Sequence, residues 1–346
     1  MAASHPASRA GGSRRANGRP FFTKGCAVDW RHLSLNLVSD AVAAVEQQER
    51  FPKKNDVVSG REFLGSCRMV RLIRTGGTCQ VWEAVRDQQR VALKFLQPEV
   101  RTDKEEIGYL KHELEVGQTL HHPNVIEIYE FNVDRSIAFL VMEFHPGKNV
   151  KMLLRLGIDT FAHMAPTIIT NAAQGLQYLH EQGWVHRDIK PDNFLVAEDG
   201  HVKLIDFALA HRIKTGLSRL FARRSRIQGT RSYMAPEQIR GRPLDARTDI
   251  YSFGCLLYEL LSGKLPFTGI SPEDLLRKHL TAAVPTLMSA NKNVTSDFND
   301  LVVQMMSKNP DQRPQSMEEF LRHFQSIRVF RSLPKPPPEH KSDAHQ

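Results

Sequence analysis

The sequence predicts an α+β fold of two lobes: a small, β-rich N-terminal lobe with one main helix, then a larger, mainly helical C-terminal lobe. Three observations carry this. Short apolar runs separated by turn residues occupy 67–142, the pattern of strands. The stretch Glu143-Phe144-His145-Pro146-Gly147 then breaks the pattern. Beyond it, apolar residues return at three- and four-residue steps, the period of a helix. With 346 residues and 41% hydrophobic content, the chain is long enough to bury a core in each lobe.

Residues 1–28 carry Arg9, Arg14, Arg15, Arg19 and Lys24 and no acid. They read as a basic disordered tail, with an organelle transit segment as the alternative. Residues 29–66 read as a helix and linker: Leu33, Leu37, Val38, Val42 and Val45 recur with helical spacing and Pro52 ends the run. The two-lobed domain is expected over 67–326, with its N-lobe at 67–142, hinge at 143–149 and C-lobe at 150–326. A Pro-rich polar tail is expected at 327–346. Cys26, Cys67, Cys79 and Cys255 are scattered and form no C-x-x-C pair. That usage suggests a reducing, cytoplasmic compartment. No apolar run reaches the roughly 18 residues of a spanning helix. The net charge of +9 comes without a basic stripe interleaved with aromatics, so no nucleic-acid partner is expected.

Met69–Ile73 and Val81–Val85 read as strands joined by Arg74-Thr75-Gly76-Gly77-Thr78-Cys79-Gln80. A tight turn there presents backbone N–H groups to phosphates. The pattern G-x-G-x-x-G-x-V overlays it with Arg74 at the first glycine position, Gly76 at the second, Cys79 at the third and Val81 last; Gly77 adds local freedom. Val91-Ala92-Leu93-Lys94 is a strand ending in a lysine, read as binding the α- and β-phosphates of a nucleotide. Such a lysine needs a carboxylate partner. Thr102-Asp103-Lys104-Glu105 starts a helix as a capping box, and the helix runs to Leu120. Ile107, Leu110 and Leu114 form its apolar stripe, and Glu113 beside the stripe is the proposed partner of Lys94. Met142 is placed at the back of the nucleotide pocket, with the backbone of Glu143 to His145 along the adenine edge.

In the C-lobe, Thr167 to Glu181 reads as a helix stopped by Gly183. Then comes His186-Arg187-Asp188-Ile189-Lys190-Pro191-Asp192-Asn193, around which the rest is organised. Asp188 is a carboxylate able to accept a hydroxyl proton as that hydroxyl attacks a phosphoryl group. Lys190 puts a compact positive charge beside it. Asn193 offers an amide oxygen to Mg²⁺, which prefers hard oxygen ligands. The strand Val202–Ile205 delivers Asp206-Phe207-Ala208, and Asp206 is the second metal ligand. Between Asp206 and Glu237 no acid occurs, while Arg212, Lys214, Arg219, Arg223, Arg224, Arg226 and Arg231 are basic. Ser218 and Ser225 in that loop are candidate phosphate acceptors. Asp249 is expected to open an apolar helix ending at Leu261, and Asp311-Gln312-Arg313-Pro314 precedes a last helix to about Phe324.

This ordered set resembles the serine/threonine protein kinase family, in its bacterial type with short loops. The resemblance covers residues 68–326 and rests on Val91 to Lys94, Glu113, His186 to Asn193, Asp206-Phe207, Ala235-Pro236-Glu237, Asp249 and Arg313. It implies a kinase-like fold, ATP with Mg²⁺ (or Mn²⁺ in its place) and protein substrates. Lys190, and Thr230 ahead of Ala235-Pro236-Glu237, match the serine/threonine branch. It further implies that Thr230 bonds around Asp188 and Lys190, that Glu237 pairs with Arg313, and that Val81, Ala92 and Leu195 sandwich the adenine. Leu209 suggests serine over threonine as acceptor. Phosphorylation of its own basic loop is expected, with Arg187 as the clamp for the phosphate.

Three departures stand out. Arg74 and Cys79 replace glycines, and Arg74 is expected to add a phosphate contact. Ala208 replaces a glycine, which restricts positive φ. Gly117 stands where the family has a bulky residue packing toward Phe207, so a gap is expected. The expected function is transfer of the γ-phosphoryl group of MgATP to protein hydroxyls. The alternatives are a kinase-like nucleotide-binding signalling module with little turnover and a small-molecule phosphotransferase.

Overall fold

The computed structural model describes residues 62–213 and 228–337. The expected tail at 1–28, the part of the expected 29–66 helix and linker before residue 62, and Ser218 and Ser225 lie outside them; Phe63–Leu64, expected in that linker, instead pairs with Cys67 and Arg68 as the first strand of the N-lobe sheet.

The N-lobe is a six-stranded antiparallel sheet in the order β1-β2-β3-β4-β6-β5. Its strands are β1 (Phe63–Leu64), β2 (Cys67–Thr75), β3 (Cys79–Arg86), β4 (Gln89–Leu96), β5 (Ile128–Asp134) and β6 (Ile137–Glu143). Alternation places Ala84, Leu93, Phe95, Phe139 and Val141 in a buried layer on one face. Ala92, Leu140 and Met142 face the larger core instead. The register sets Lys94 opposite Val81 and Leu140, and Ala92 opposite Met142. One strand face thus carries the residues the cleft needs.

The main helix, α1 (Lys104–Gly117), packs on β5 and β6. Its N-cap is Asp103, which accepts from the Glu105 amide at 2.8 Å, so the cap sits one residue later than the Thr102 box. An aspartate carboxylate caps as well as a threonine hydroxyl and suits the positive end of the helix. The helix ends at Gly117 rather than Leu120, because Thr119 and Leu120 turn back in short bonds to Val116 and Gly117. The gap expected at Gly117 is closed by Ile128 from β5. A Cβ on Gly117 would lie 2.6 Å from Ile128 Cδ1 and 2.9 Å from its Cβ. The Ile128 Cβ cannot swing away. Gly117→Ala is therefore expected to lower the melting temperature by about 5 °C, despite better helix propensity; thermal unfolding checks this, and an unchanged or raised midpoint contradicts it.

The hinge is shorter than 143–149. Glu143 remains in β6, and β7 (Lys148–Asn149) already pairs with the C-lobe. Gly147 permits that approach: a Cβ there would stand 2.3 Å from the Val196 carbonyl oxygen. After β7 come α2 (Val150–Leu156) and α3 (Ala165–Glu181), then β8 (Trp184–Val185), β9 (Phe194–Val196), β10 (Val202–Leu204) and β11 (His211–Arg212). The C-lobe continues with α4 (Pro236–Ile239), α5 (Ala246–Ser262), α6 (Pro272–Thr281), α7 (Ser296–Met305) and α8 (Met317–Gln325). The cap of α5 is Asp245, not Asp249. Asp249 lies within its first turn, fully buried, and serves the catalytic loop.

The polar tail does not start at 327. Val329 and Phe330 are buried, Phe330 bridges Val294, and the Thr295 amide donates to the Val329 carbonyl at 3.1 Å. Two large apolar side chains cover the end of the C-lobe core, which outweighs the polar composition around them.

Deep in the C-lobe, His279 is fully buried and its Nδ1 meets the Tyr251 hydroxyl at 2.9 Å. Burial, and then the Lys308 ammonium, push His279 down to about 4. It stays neutral in the fold, while the unfolded chain protonates below its ordinary 6.5. Stability is thus expected to fall as pH drops from 6.5 toward 4, by about 3 kcal/mol at full extent. His279→Gln should flatten that slope in melting curves taken across this range, and an equally steep slope in the variant contradicts the assignment.

Candidate active site

Between the lobes lies a cavity of about 420 Å³. Its roof is the β2–β3 turn, with Arg74, Gly76, Gly77 and Cys79, followed by Val81 and Ala92 on the strands. Its back and hinge edge are Met142, Glu143 and His145, and Leu195 lines it from the C-lobe. Lys94, Glu113, Asp188, Lys190, Asn193 and Asp206 line it as well. Thr230 stands behind Asp188, outside the lining. Ile126 and Met152 line the cleft without having been singled out in the sequence; nothing in an apolar run marks which member will face a cavity.

The centre is a buried charge cluster. Lys94 Nζ donates to Glu113 Oε2 at 2.6 Å and to Asp206 Oδ1 at 3.0 Å. Burial alone would lower the Lys94 pKa, but the carboxylates of Asp206 and Glu113 outweigh it and hold the ammonium above its ordinary range. Burial likewise opposes ionisation of Asp206, and the Lys94 charge overrides it, holding that carboxyl at about 2. The Glu113 side chain is 1% exposed, so its charge depends on Lys94.

Asp188 is gripped at both oxygens. The Thr230 amide and hydroxyl each donate to Oδ1 at 2.9 Å, and Lys190 Nζ donates to Oδ2 at 2.5 Å. Asn193 Nδ2 donates to the Asp188 carbonyl at 2.8 Å, which commits the amide nitrogen and leaves Oδ1 as a hard acceptor. With anionic Asp206, it forms an oxygen donor set that suits a magnesium-class ion. The loop backbone is held from below. Asp249 accepts from the His186 amide at 2.7 Å and the Arg187 amide at 2.9 Å, and His180 Nε2 lies 2.8 Å from the same carboxylate. Arg187 (φ 70°) and Asp206 (φ 71°) both adopt the left-handed region. Each costs about 1–3 kcal/mol and persists because its neighbours over-determine it: Asp249 under Arg187, and Phe207 packed edge-on against His186. Ala208 is not left-handed, so its methyl group carries no strain here.

Two expectations change. The Arg74 guanidinium reaches across the cleft mouth to Asp192, with Nη2 at 2.9 Å from the carboxylate. Its charge is therefore engaged by the catalytic loop rather than held for a phosphate. At the hinge, the Glu143 amide already donates to the Glu127 carbonyl at 2.9 Å, so an adenine edge would have to find its donor further along, at Phe144 or His145. The Glu143 carboxylate pairs with Lys203 at 2.8 Å. The roof turn is braced by Gln97, whose Nε2 donates to the Gly76 carbonyl at 2.5 Å. Burial pushes the Cys79 thiol above its ordinary range, so it sits in the roof as a protonated filler.

The cleft, its ion-paired lysine and the loop carboxylate are those of the two-lobed protein kinase class. The chain belongs to the protein kinase domain family, whose model matches residues 68–324. It is 33% identical to the serine/threonine-protein kinase PknA of Mycobacterium tuberculosis over 291 residues, 80% of this chain and 64% of that one. Identity to PrkC of Bacillus subtilis is 29% over 262 residues, 75% of this chain and 40% of the relative. For PknB of Mycobacterium leprae it is 30% over 275 residues, 78% and 44%. The chain spans between 38% and 64% of the length of the curated relatives it matches. Among the described residues no helix is long and apolar enough to cross a membrane.

Proposed function

We propose that the chain is a serine/threonine protein kinase that transfers the γ-phosphoryl group of ATP to hydroxyls of protein substrates. The observation that carries the reading is the double grip on Asp188, with Thr230 on one oxygen and Lys190 on the other. A carboxylate so held can orient an acceptor hydroxyl and take its proton as the oxygen forms its bond to phosphorus. The bond from the γ-phosphorus to its bridging oxygen breaks, and ADP leaves with the electron pair. Lys190 steadies the transferring group. Lys94, held by Glu113, anchors the α- and β-phosphates. Gly76, Gly77 and Cys79 roof the phosphates, with Arg74 spanning the cleft mouth to Asp192, while Val81, Ala92, Met142, Glu143, His145 and Leu195 surround the base. Bound Mg²⁺, or Mn²⁺ in its place, would neutralise phosphate charge, with Asn193 and Asp206 as its ligands. Leu209 at the cleft favours serine. Self-phosphorylation on the basic loop and a cytoplasmic location belong to the same reading; the free thiols of Cys67, Cys79 and Cys255 support a reducing compartment.

Phosphate incorporation by purified protein with MgATP, beside Asp188→Asn and followed by site mapping, tests it. The variant should lose about 10²–10⁴-fold, with wild-type phosphate on serine and threonine. Equal incorporation by the variant, or turnover on a small alcohol and none on protein, overturns the proposal.

A further inference from the structure

The roof turn carries a charged side chain where the pattern G-x-G-x-x-G-x-V has its first glycine, and the sheet aims that side chain at the C-lobe. Leu72 pairs with Trp82 and Arg74 with Val81, so Ile73 is an extra residue in β2, a bulge. A bulge re-aims the side chains beside it, and Ile73 and Arg74 both line the cleft. Val81 pairs in turn with Lys94 on β4. Arg74, Val81 and Lys94 therefore form one row across three strands, on the face above the cleft.

Both ends of that row cross to the C-lobe. Deep in the cleft, Lys94 Nζ donates to Asp206 Oδ1 at 3.0 Å. At the mouth, Arg74 Nη2 donates to Asp192 Oδ1 at 2.9 Å, and Nη1 stands 3.5 Å from the Asp192 carbonyl. Asp192 immediately precedes Asn193, so the outer bridge lands on the loop that holds the proposed metal ligand. The turn between the bridges is tied to the end of β4: the Gln97 amide donates to the Thr78 carbonyl at 2.8 Å, and Gln97 Nε2 to the Gly76 carbonyl at 2.5 Å. Lifting the roof off the catalytic loop therefore means parting Arg74 from Asp192. Their side chains are 40% and 29% exposed, so the pair is weak and screened by salt, as suits a contact that opens and re-forms. We propose that Arg74 is a positioning residue that, with Asp192, straps the nucleotide roof to the catalytic loop and limits how fast nucleotide enters and leaves the cleft. The proposal rests on the kinase reading, which makes the cleft a nucleotide site, and its test separates the two.

Wild type is compared with Arg74→Ala, Asp192→Ala and the double variant, all as the full chain. The first readout needs no nucleotide. Cys79 is a free thiol in the roof, and its rate of alkylation by iodoacetamide, followed by peptide mass spectrometry, reports opening of the turn. The second is the dissociation rate of a fluorescent ADP analogue in magnesium buffer. Each single variant should speed both by about threefold. The double variant should match the singles, because one pair is broken in all three. Raising salt from about 0.05 to 0.5 M should bring wild type toward the variants and leave the variants unchanged. Asp192→Ala is the decisive variant, since it leaves every roof residue in place. If Arg74 instead serves the phosphates, freeing it from Asp192 slows release, and that result overturns the proposal. Release from Asp192→Ala at the wild-type rate overturns the control of exchange, and alkylation at the wild-type rate overturns the strap. A chain that binds no nucleotide defeats the kinase reading and leaves the alkylation rates to decide the strap.

Discussion

Lys94→Met should reduce phosphoryl transfer by about 10³-fold while the chain remains folded. Lys94 is the one cation within hydrogen-bond distance of both Glu113 and Asp206 among the described residues, at 2.6 and 3.0 Å. Methionine preserves the length of the side chain and its packing against the cleft wall, so the loss is of charge rather than of volume. A preorganised charge aimed at a polyphosphate contributes on the order of 10²–10³ in rate. In the variant, burial acts on Asp206 without its main opposing charge, and its carboxyl should rise from about 2 toward and beyond its ordinary 3.8. The wild-type carboxyl, lowered by its partner, contributes stability that is full above 3.8 and lost as pH falls toward 2. The variant should therefore lack that part of the acid slope. Single-turnover phosphate transfer and unfolding curves between pH 2 and 5 check both parts. A rate within tenfold of wild type would mean that Lys94 does not serve the phosphates.

The second large effect is on stability. Arg313 should tolerate no replacement. Its side chain is 0% exposed, and Glu237 opposite it is 8% exposed. The guanidinium makes two bonds to that carboxylate, at 2.7 and 3.0 Å. It also donates to the carbonyls of Ser307 at 2.8 Å and Arg247 at 2.7 Å, and stacks 4.9 Å from the Tyr251 ring centre. Arg313→Leu strands a buried carboxylate and two carbonyls at once. Breaking one side of such a pair costs about 3–5 kcal/mol, which corresponds to a fall of about 10 °C in Tm for a domain of this size. Arg313→Lys keeps the charge but loses the planar fork, so it should recover only part. Glu237→Gln combined with Arg313→Met should be more stable than Arg313→Leu, because no buried charge is left alone. Thermal unfolding of the set decides it, and equal midpoints for wild type and Arg313→Leu would refute the structural role.

The chemistry was legible because it is local in sequence. His186 to Asn193 is one short loop, and a carboxylate, a lysine and an amide at that spacing narrow the reactions available. The Lys94–Glu113 pair was legible for a different reason. A strand-end lysine in an apolar run needs a partner, and the stripe of Ile107, Leu110 and Leu114 fixed which side of the helix Glu113 presents. Element edges were less legible. Asp103 and Thr102 are both good caps, and Asp245 and Asp249 both stand near the start of one apolar helix, so composition could not choose between them. Burial chose: Asp249 was drawn under the catalytic loop, where two amides needed an acceptor.

By itself, then, the sequence determined the two-lobed α+β fold, the main strands of the N-lobe, the helices α1, α3, α5 and α8, and the identity of the charged groups that meet in the cleft. These follow from periodicity and from short motifs, which depend on residues close together in the chain. Tertiary structure alone decided what fills the space beside Gly117, where the Arg74 charge goes, and which amides at the hinge are already spent. Each of these depends on a contact between residues far apart in sequence. Such contacts are set by side-chain volume and hydrogen-bond satisfaction once the lobes are packed, and neither quantity is written in the local order of residues.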